Sequence, residues 1–556
     1  MNVDKFAGIA AYHDGSVISD YCNVIPLDNS IIDRQGELLC PIVDTGGNPV
    51  ELPSTFVAKA SFVDSHQNIY IVTEDGIRRF SLRNESPTDI TLVSQPLRLN
   101  AQQPNLAINL AGPFSFCESS TKPSQVYFCD GYNVYYWNTT SQFDGYEIPE
   151  SVNDRTKPFV MTMIPMKSGL AGAPTRIIGV NGTTAENATE QQYGWWDNSL
   201  TSDFGVKSIA WFDNRLVCCQ QDKNTVWLSV ADPSRYLVPA SGKSAPFALY
   251  SYTASSDNMY APYYSFIPNY YSSTASSANL RETVAFAGQL YFLNESSIEI
   301  WSSTGNDGNP IQLNAQNILY FGGRSPVIIA DTMYLLCHDT IHNDFVAAIG
   351  RSGQVQTISN SEIERQLAAG AVAVKPLSIR DQSMVVVYTG DTYLTGYSVT
   401  KLGKWWRAAN GKWGDEFQAW TLGNFGGRII GVSNYGRPLV STDDNRKFAD
   451  GRAIQRFVRG GFTTFIGRKI MRVVNVLGDT GVYTGNSADR PRLYIRLSFD
   501  RGLSFGPYLY RTVGRPGAND REMQWRNCGS GNSVLLEFGT SGNIRFQIYG
   551  LNFELA

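Results

Sequence analysis

Apolar and polar positions alternate along this chain in short runs separated by polar turns. The clearest example is Ile209–Tyr236, IAWFDNRLVCCQQDKNTVWLSVADPSRY. An apolar strand ends at the turn Asp213-Asn214, a second runs through Leu216–Cys219, a turn follows at Asp222-Lys223-Asn224, and a third strand covers Thr225–Val230 before Asp-Pro. Short apolar runs broken by Asp- and Asn-bearing turns predict an antiparallel meander. The same pattern recurs at Ser61–Phe80, Ser124–Trp137 and Thr283–Trp301, and in weaker form at Val327–Gly350, Ser383–Trp406 and Ala419–Val440. The spacing is uneven, about 45 to 90 residues, so insertions separate the units. One unit cannot bury both its faces, so neighbours must stack. A ring of blades does this and hides most strand edges. The expected fold is all-β: a β-propeller-like repeat domain of about six or seven blades over residues 51–455. A row of separate β-sandwiches is the alternative.

Other stretches depart from the pattern. Residues 167–202 form an insertion rich in Gly, Thr and Asn, and residues 249–280 form one rich in Ser and Tyr, including Tyr252, Tyr260, Tyr263, Tyr264, Tyr270 and Tyr271. Tyr and Ser at that density suit an adaptable contact surface or a loop folded over its own blade. Asn360–Ala373 reads as one short helix behind an Asn-Ser cap, with Glu placed for a capping box. After Phe457 the strands lengthen (KIMRVVNVLGDTG, RPRLYIRLSFDRG, NSVLLEFGT, NIRFQIYGLNFELA), which predicts a C-terminal antiparallel β-sandwich-like domain over 456–556. Residues 1–50 read as an extended strap.

Composition narrows the class. At 556 residues the chain exceeds one ordinary core. With 17% charged residues, 12% aromatics and 50 Gly it suits turn-rich β structure and not disorder. The 46 basic and 50 acidic residues leave a net charge of -4, which is not the footprint of a nucleic-acid-binding chain. The 8 cysteines are scattered without a CxxC pair, mostly inside apolar strands, and are expected to be buried free thiols. The start of the chain shows no secretory pattern, and no apolar run reaches about 18 residues, so no membrane span is expected.

Candidate chemistry is sparse. Ser498–Phe505 (SFDRGLSF) fits the Asp-box pattern, in which Asp accepts backbone N–H groups in a hairpin turn, Gly supplies an unusual φ and the aromatic anchors the turn. Ser441–Asn445 with Phe448 is a weaker version. Asp boxes are frequent in sialidases and also serve as purely structural turns. A sialidase-like site would need clustered arginines, a Tyr nucleophile with a Glu partner, and an acid Asp, and no shared centre is visible. Glu362 and Glu364 fall on the lone helix, and Asp443-Asp444 lie in a turn, so neither makes a hydrolytic pair. His338 and His342 are four apart, but in strand-and-turn context that is no metal site. Lys401–Trp413 is basic and aromatic, and reads as the last strand and turn of a blade with Trp405 or Trp406 wedged between blades. No triad, P-loop or dinucleotide fingerprint occurs. We assign no catalytic, cofactor-binding or metal-ligating residue and expect no enzyme.

Beside the aromatic-Asp-Asn-Arg-Leu and Thr-Val-Trp-Leu-Ser pieces of Ile209–Tyr236, three blocks carry a family resemblance. These are Phe286–Asn306 (FAGQLYFLNESSIEIWSSTGN), Met384–Trp406 (MVVVYTGDTYLTGYSVTKLGKWW), and the closing segment from Leu493 through the terminal strand. In this order they resemble the packaged-DNA stabilisation proteins, also called tail hub, nozzle or tail tubular proteins, of short-tailed bacteriophages. The likeness runs from about residue 205 to the end and is vague before it. It implies a non-catalytic virion protein of the phage tail, made in the host cytoplasm. Copies would form a ring, a hexamer, below the portal and its adaptor. That ring would prolong the DNA channel, hold the packaged double-stranded DNA until ejection, and carry fibres, spikes or a needle. No cofactor and no membrane is implied. The 249–280 insertion and the divergent N-terminus leave fibre and adaptor contacts open. A channel that releases DNA should not be strongly basic, so neutral and acidic side chains are expected to line it. The rival from another class is a glycan-binding or glycan-hydrolysing, sialidase-like propeller. A fibre or spike would show fibrous repeats, which are not seen.

Overall fold

The computed structural model describes residues 10–556 apart from loops, the longest being 148–159, 169–201, 230–270, 409–418 and 443–452. The 167–202 and 249–280 insertions therefore lie largely outside the described residues, as do Ser441–Phe448 beyond Thr442, His342, and most of Lys401–Trp413.

Seven antiparallel meanders follow one another among the described residues. The first blade is Ala60–Val63, Ile69–Thr73, Gly76–Leu82 and Leu92–Pro96. The second is Ser115–Glu118, Gln125–Cys129, Val134–Asn138 and Val160–Ile164. The third is Val206–Phe212, Arg215–Gln220, Thr225–Leu228 and Tyr271–Ser272. The fourth is Leu280–Phe286, Gln289–Asn294, Ile298–Ser303 and Ile311–Leu319. The fifth is Gly322–Ile329, Thr332–His338, Phe345–Gly350 and Val355–Thr357. The sixth is Ala371–Ile379, Gln382–Thr389, Thr395–Val399 and Trp405–Ala408. The seventh begins with Ala419–Phe425, Arg428–Ser433 and Pro438–Thr442. From the second blade to the seventh, first strands lie side by side, and the seventh blade's first strand lies against that of the first blade. The first and second blades meet through Phe62 and Phe116, whose rings stack 5.4 Å apart. The fold is an all-β propeller-like repeat with a C-terminal antiparallel β domain.

Turn chemistry explains why these strands fold back. Asp213 and Asn214 both take positive φ (49° and 57°), the conformation of a two-residue hairpin turn. Two buried aspartates tie other turns. Asp64 accepts from the backbone N–H of His66 and Asn68 and from the Tyr70 hydroxyl at 2.8 Å. Asp130 accepts from the N–H of Tyr132 and Asn133 and from the Tyr135 hydroxyl at 3.0 Å. Burial first, and then the neighbouring carboxylate, push both phenols well above the ordinary tyrosine value.

The core lies between blades, as stacking requires. Tyr70, Val72, Phe128 and Trp137 fill the space between the first and second blades. Val217, Leu228, Leu290 and Phe292 do the same between the third and fourth. Trp405 packs with Leu336, Val346 and Val385 between the fifth and sixth, and donates its indole N–H to the Ile358 carbonyl at 2.7 Å. All eight cysteines are free thiols. Burial pushes several up, Cys40 to about 12, which keeps them protonated and unreactive.

The N-terminal segment is stitched into distant strands. Gly36–Leu39 pairs antiparallel with Pro438–Thr442 and becomes the fourth strand of the seventh blade. Ile42–Val43 then runs parallel to Leu92–Pro96 at the edge of the first blade. Upstream, Val17–Cys22 lies between Trp405–Ala408 of the sixth blade and the long strand Arg456–Val482. Ile31–Asp33 pairs with the terminal strand Arg545–Leu555. Arg456–Val482 (27 residues) and Arg521–Thr540 (20 residues) form the spine of the C-terminal domain, with Arg492–Ser498 and Leu509–Thr512 beyond.

One expectation is corrected. The helix covers Ser361–Leu367, not Asn360–Ala373. Asn360 caps it by accepting from the Ile363 N–H at 3.0 Å, while Glu364 accepts from the Ser359 hydroxyl. The residues beyond are claimed by the sheet, because Ala371–Ile379 pairs along Gln382–Thr389. Among the described residues no helix is long and apolar enough to cross a membrane.

Candidate functional site

Charge and aromatic surface converge in the C-terminal domain. Glu537 sits on the central strand, directly opposite Arg459 on one neighbour and Arg496 on the other. Directly paired residues share a face, so the register alone brings two guanidiniums to one carboxylate. Glu537 is 1% exposed. Arg496 reaches it through Nε at 2.6 Å and Nη2 at 2.9 Å, and Arg459 through Nη2 at 2.8 Å. Phe505 covers both cations, with its ring centre 4.6 Å from the Arg459 guanidinium and 4.7 Å from that of Arg496. Tyr508 lies 4.9 Å from Arg496 and meets Tyr494 edge-on at 4.8 Å. Tyr508 and Tyr510 are exposed.

The Asp box delivers Phe505. Asp500 accepts from Ser498 Oγ at 2.6 Å, from the Ser504 N–H at 2.9 Å and from Ser504 Oγ, and the Gly502 N–H bonds back to Ser498 Oγ. Gly502 has φ 94°, which a side chain would resist. The hydroxyls of Ser498 and Ser504 hold the Asp500 carboxyl down at about 2. The turn thus forms as the motif predicts, and its aromatic is the lid of the arginine pair.

The same groups supply an arginine pair, a tyrosine near a glutamate and an aspartate, but their states do not suit glycoside cleavage. Both guanidiniums are turned into Glu537. Burial, and then the Glu537 charge, push the Tyr494 phenol well above its ordinary value, where it is a poor nucleophile. Asp500 is ionised at neutral pH and cannot serve as a general acid. The arrangement is a clamp joining three strands.

A second group of charges lies on the first strands of blades four to six. Glu282 is mostly buried and accepts the Ser325 N–H at 2.5 Å, and Ser325 Oγ in turn accepts the Val374 N–H at 3.0 Å. Burial pushes Glu282 up to about 7 against the pull of the Ser325 N–H, Arg281, Lys375 and Arg324, and burial likewise pushes Lys375 down. An acid raised in this way holds its proton more tightly folded than unfolded. The stability tied to that proton is fully present below about 4.5 and is lost as pH climbs to about 7. Glu282→Gln should therefore gain melting temperature relative to wild type between about pH 5 and about pH 7. A difference that stays constant across that window would refute the assignment.

The remaining motif residues are structural or isolated. His338 Nδ1 is 2.8 Å from Asp344, on an exposed surface. Glu362 is held by Arg365 and Gln366. Among the described residues no group of His, Cys, Asp or Glu is placed to hold a metal.

Whole-chain charge conceals one feature. Residues 456–556 hold 14 of the 46 Lys and Arg but 7 of the 50 Asp and Glu, a formal +7, leaving -11 on residues 1–455. Counting charge by domain exposes this split directly.

The chain matches no protein-family model. It matches no curated protein either. Solved structures similar to it include BBS1N in complex with ARL6DN, soaked with mercury, at 10% identity over 74% of this chain and 97% of that one, with a TM-score of 0.33. The lead-soaked form of that complex gives 10% identity, the same coverage and a TM-score of 0.34. Saccharomyces cerevisiae Sqt1 gives 11% identity over 62% of this chain and 81% of that one, with a TM-score of 0.27. At such scores the propeller assignment rests on the blades themselves.

Proposed function

We propose that this chain is a structural virion protein of a short phage tail, a hub or nozzle subunit that assembles into a ring below the portal and adaptor, extends the DNA channel and retains packaged DNA. The observation that carries the reading is the order of three sequence blocks, each of which falls on one structural piece. Phe286–Asn306 covers the end of the first strand and the next two strands of the fourth blade, Met384–Trp406 the last three strands of the sixth, and the closing segment the C-terminal sheet. The build suits the role. A ring under load needs rigid subunits with covered edges, and here Val17–Cys22 and the strand Arg545–Leu555 are both paired into the body. The acidic excess on residues 1–455 supports a channel wall of neutral and acidic side chains.

Genome retention tests this. Particles from a phage lacking the gene should package DNA and then leak it, with nuclease-protected DNA per capsid restored by adding the protein back. Full, stable particles that fail only at adsorption would defeat the proposal and favour a receptor- or glycan-directed part. The exposed Tyr508 and Tyr510 beside the arginine clamp are the feature that keeps a glycan-binding surface as the second reading, and glycan-array binding by the isolated chain is its test.

A further inference from the structure

One corner of the C-terminal domain is built to project. Along Arg456–Val482 and Arg521–Thr540 the register jumps from Thr464 opposite Ser533 to Lys469 opposite Gly531. The surplus residues, Phe465–Arg468, must bulge out of the ladder. Gly467 permits the turn with φ 79°, and Arg468 Nε fixes it by donating to Ser530 Oγ at 3.0 Å. Phe465 packs back on the core, whereas Ile466 is fully exposed. Ile470, bonded through its backbone to Ala556, and Leu555 are exposed at the same end of the sheet. Arg468, Lys469 and Arg472, all exposed, surround them. The adjoining terminal strand is paired on its outer side only at Gln547 and Ile548, so its run toward Ala556 has no outer strand partner among the described residues. An apolar knob with a charged rim beside an open strand edge has the makeup of an interface.

Charge decides what it meets. The knob belongs to the domain with formal charge +7, whereas the propeller residues 51–455 hold 30 Lys and Arg against 36 Asp and Glu, a formal -6, and residues 1–50 add a further -5. A ring is built from heterologous contacts, in which one surface of a subunit meets a different surface of the next. A chain that is basic at one part and acidic at the other is self-complementary in that sense, and the opposed charges steer and orient docking. A surface meant for nucleic acid would gain nothing from the acidic remainder. We infer that the Phe465–Ile470 knob and its basic rim dock on the acidic propeller portion of the next copy of this chain. This rests on the ring reading above and names the surface that makes the ring.

The test uses the full chain. Its assembly is followed by sedimentation from about 0.05 M to about 0.5 M sodium chloride, beside the triple variant Ile466→Ser, Arg468→Glu, Lys469→Glu. These positions are exposed, and an unchanged melting temperature will confirm that the variant folds. Support is assembly of wild type that weakens with salt and weakens at least tenfold (about 1.4 kcal/mol) in the variant at low salt. Wild type that assembles independently of salt, or a variant that assembles as wild type does, overturns the inference and leaves the ring reading standing. A variant that assembles normally but no longer retards duplex DNA on a gel overturns it in favour of a nucleic-acid surface. Wild type that remains monomeric at every salt overturns both readings.

Discussion

Glu537→Ala lowers the stability of the C-terminal domain by about 3–5 kcal/mol. The carboxylate is 1% exposed, and two largely buried guanidiniums, Arg459 and Arg496, converge on it from opposite strands. Taking both cations out of water is tolerated only because Glu537 meets them with hydrogen bonds as well as charge. Without it, two like charges remain side by side under Phe505 with water excluded on one flank. The prediction separates a clamp from a surface ion pair, whose loss costs under about 1 kcal/mol. Chemical denaturation, followed by intrinsic tryptophan fluorescence to which the buried Trp525 of this domain contributes, measures it. Partial recovery in the triple variant Glu537→Leu, Arg459→Met, Arg496→Met would support the account, since apolar groups of similar size can replace a buried ionic set. A loss below about 1 kcal/mol in Glu537→Ala would refute it.

Deleting residues 1–40 has the second large effect: the chain no longer melts cooperatively. Tyr21, Cys22, Val24, Ile25, Ile32 and Cys40 are all buried in the segment removed. At roughly 1.5–3 kcal/mol per large buried apolar side chain, their loss is on the order of 10 kcal/mol, comparable to the whole stability of a typical domain. The deletion also strips the fourth strand from the seventh blade and the strand between the sixth blade and Arg456–Val482. That leaves ladder edges exposed, which invites aggregation. Scanning calorimetry and light scattering report both effects. A truncated chain that still melts in one sharp transition near the wild-type temperature would show that the strap is ornamental.

The blades were legible because their signals are local. A two-residue turn such as Asp213-Asn214 and the apolar runs flanking it sit within one short window, and so does the Asp box at Ser498–Phe505. The helix end was only partly legible: Ala368, Ala369, Ala371 and Ala373 favour helix by propensity, Gly370 among them argues against it, and the strand partner that decides the matter begins only at Gln382. Pairing of Gly36–Leu39 with Pro438–Thr442 joins residues some four hundred apart, and nothing in either segment names the other. The clamp was hidden for the same reason, since Arg459, Arg496 and Glu537 meet only once two strand registers are fixed. The charge split could have been seen in the sequence, but a single sum of -4 concealed it.

Because the strand that completes the seventh blade is made some four hundred residues before its partner, that blade cannot be completed until the ribosome is past residue 442. At about 5–20 residues per second the waiting time is about 20 to 80 seconds. Through that interval Leu38 and Leu39 and their neighbours must stay unpaired on the nascent chain while the first six blades stack. A cell producing many copies at once therefore has a reason to keep this segment short, and nascent-chain chaperones have a defined early target in it.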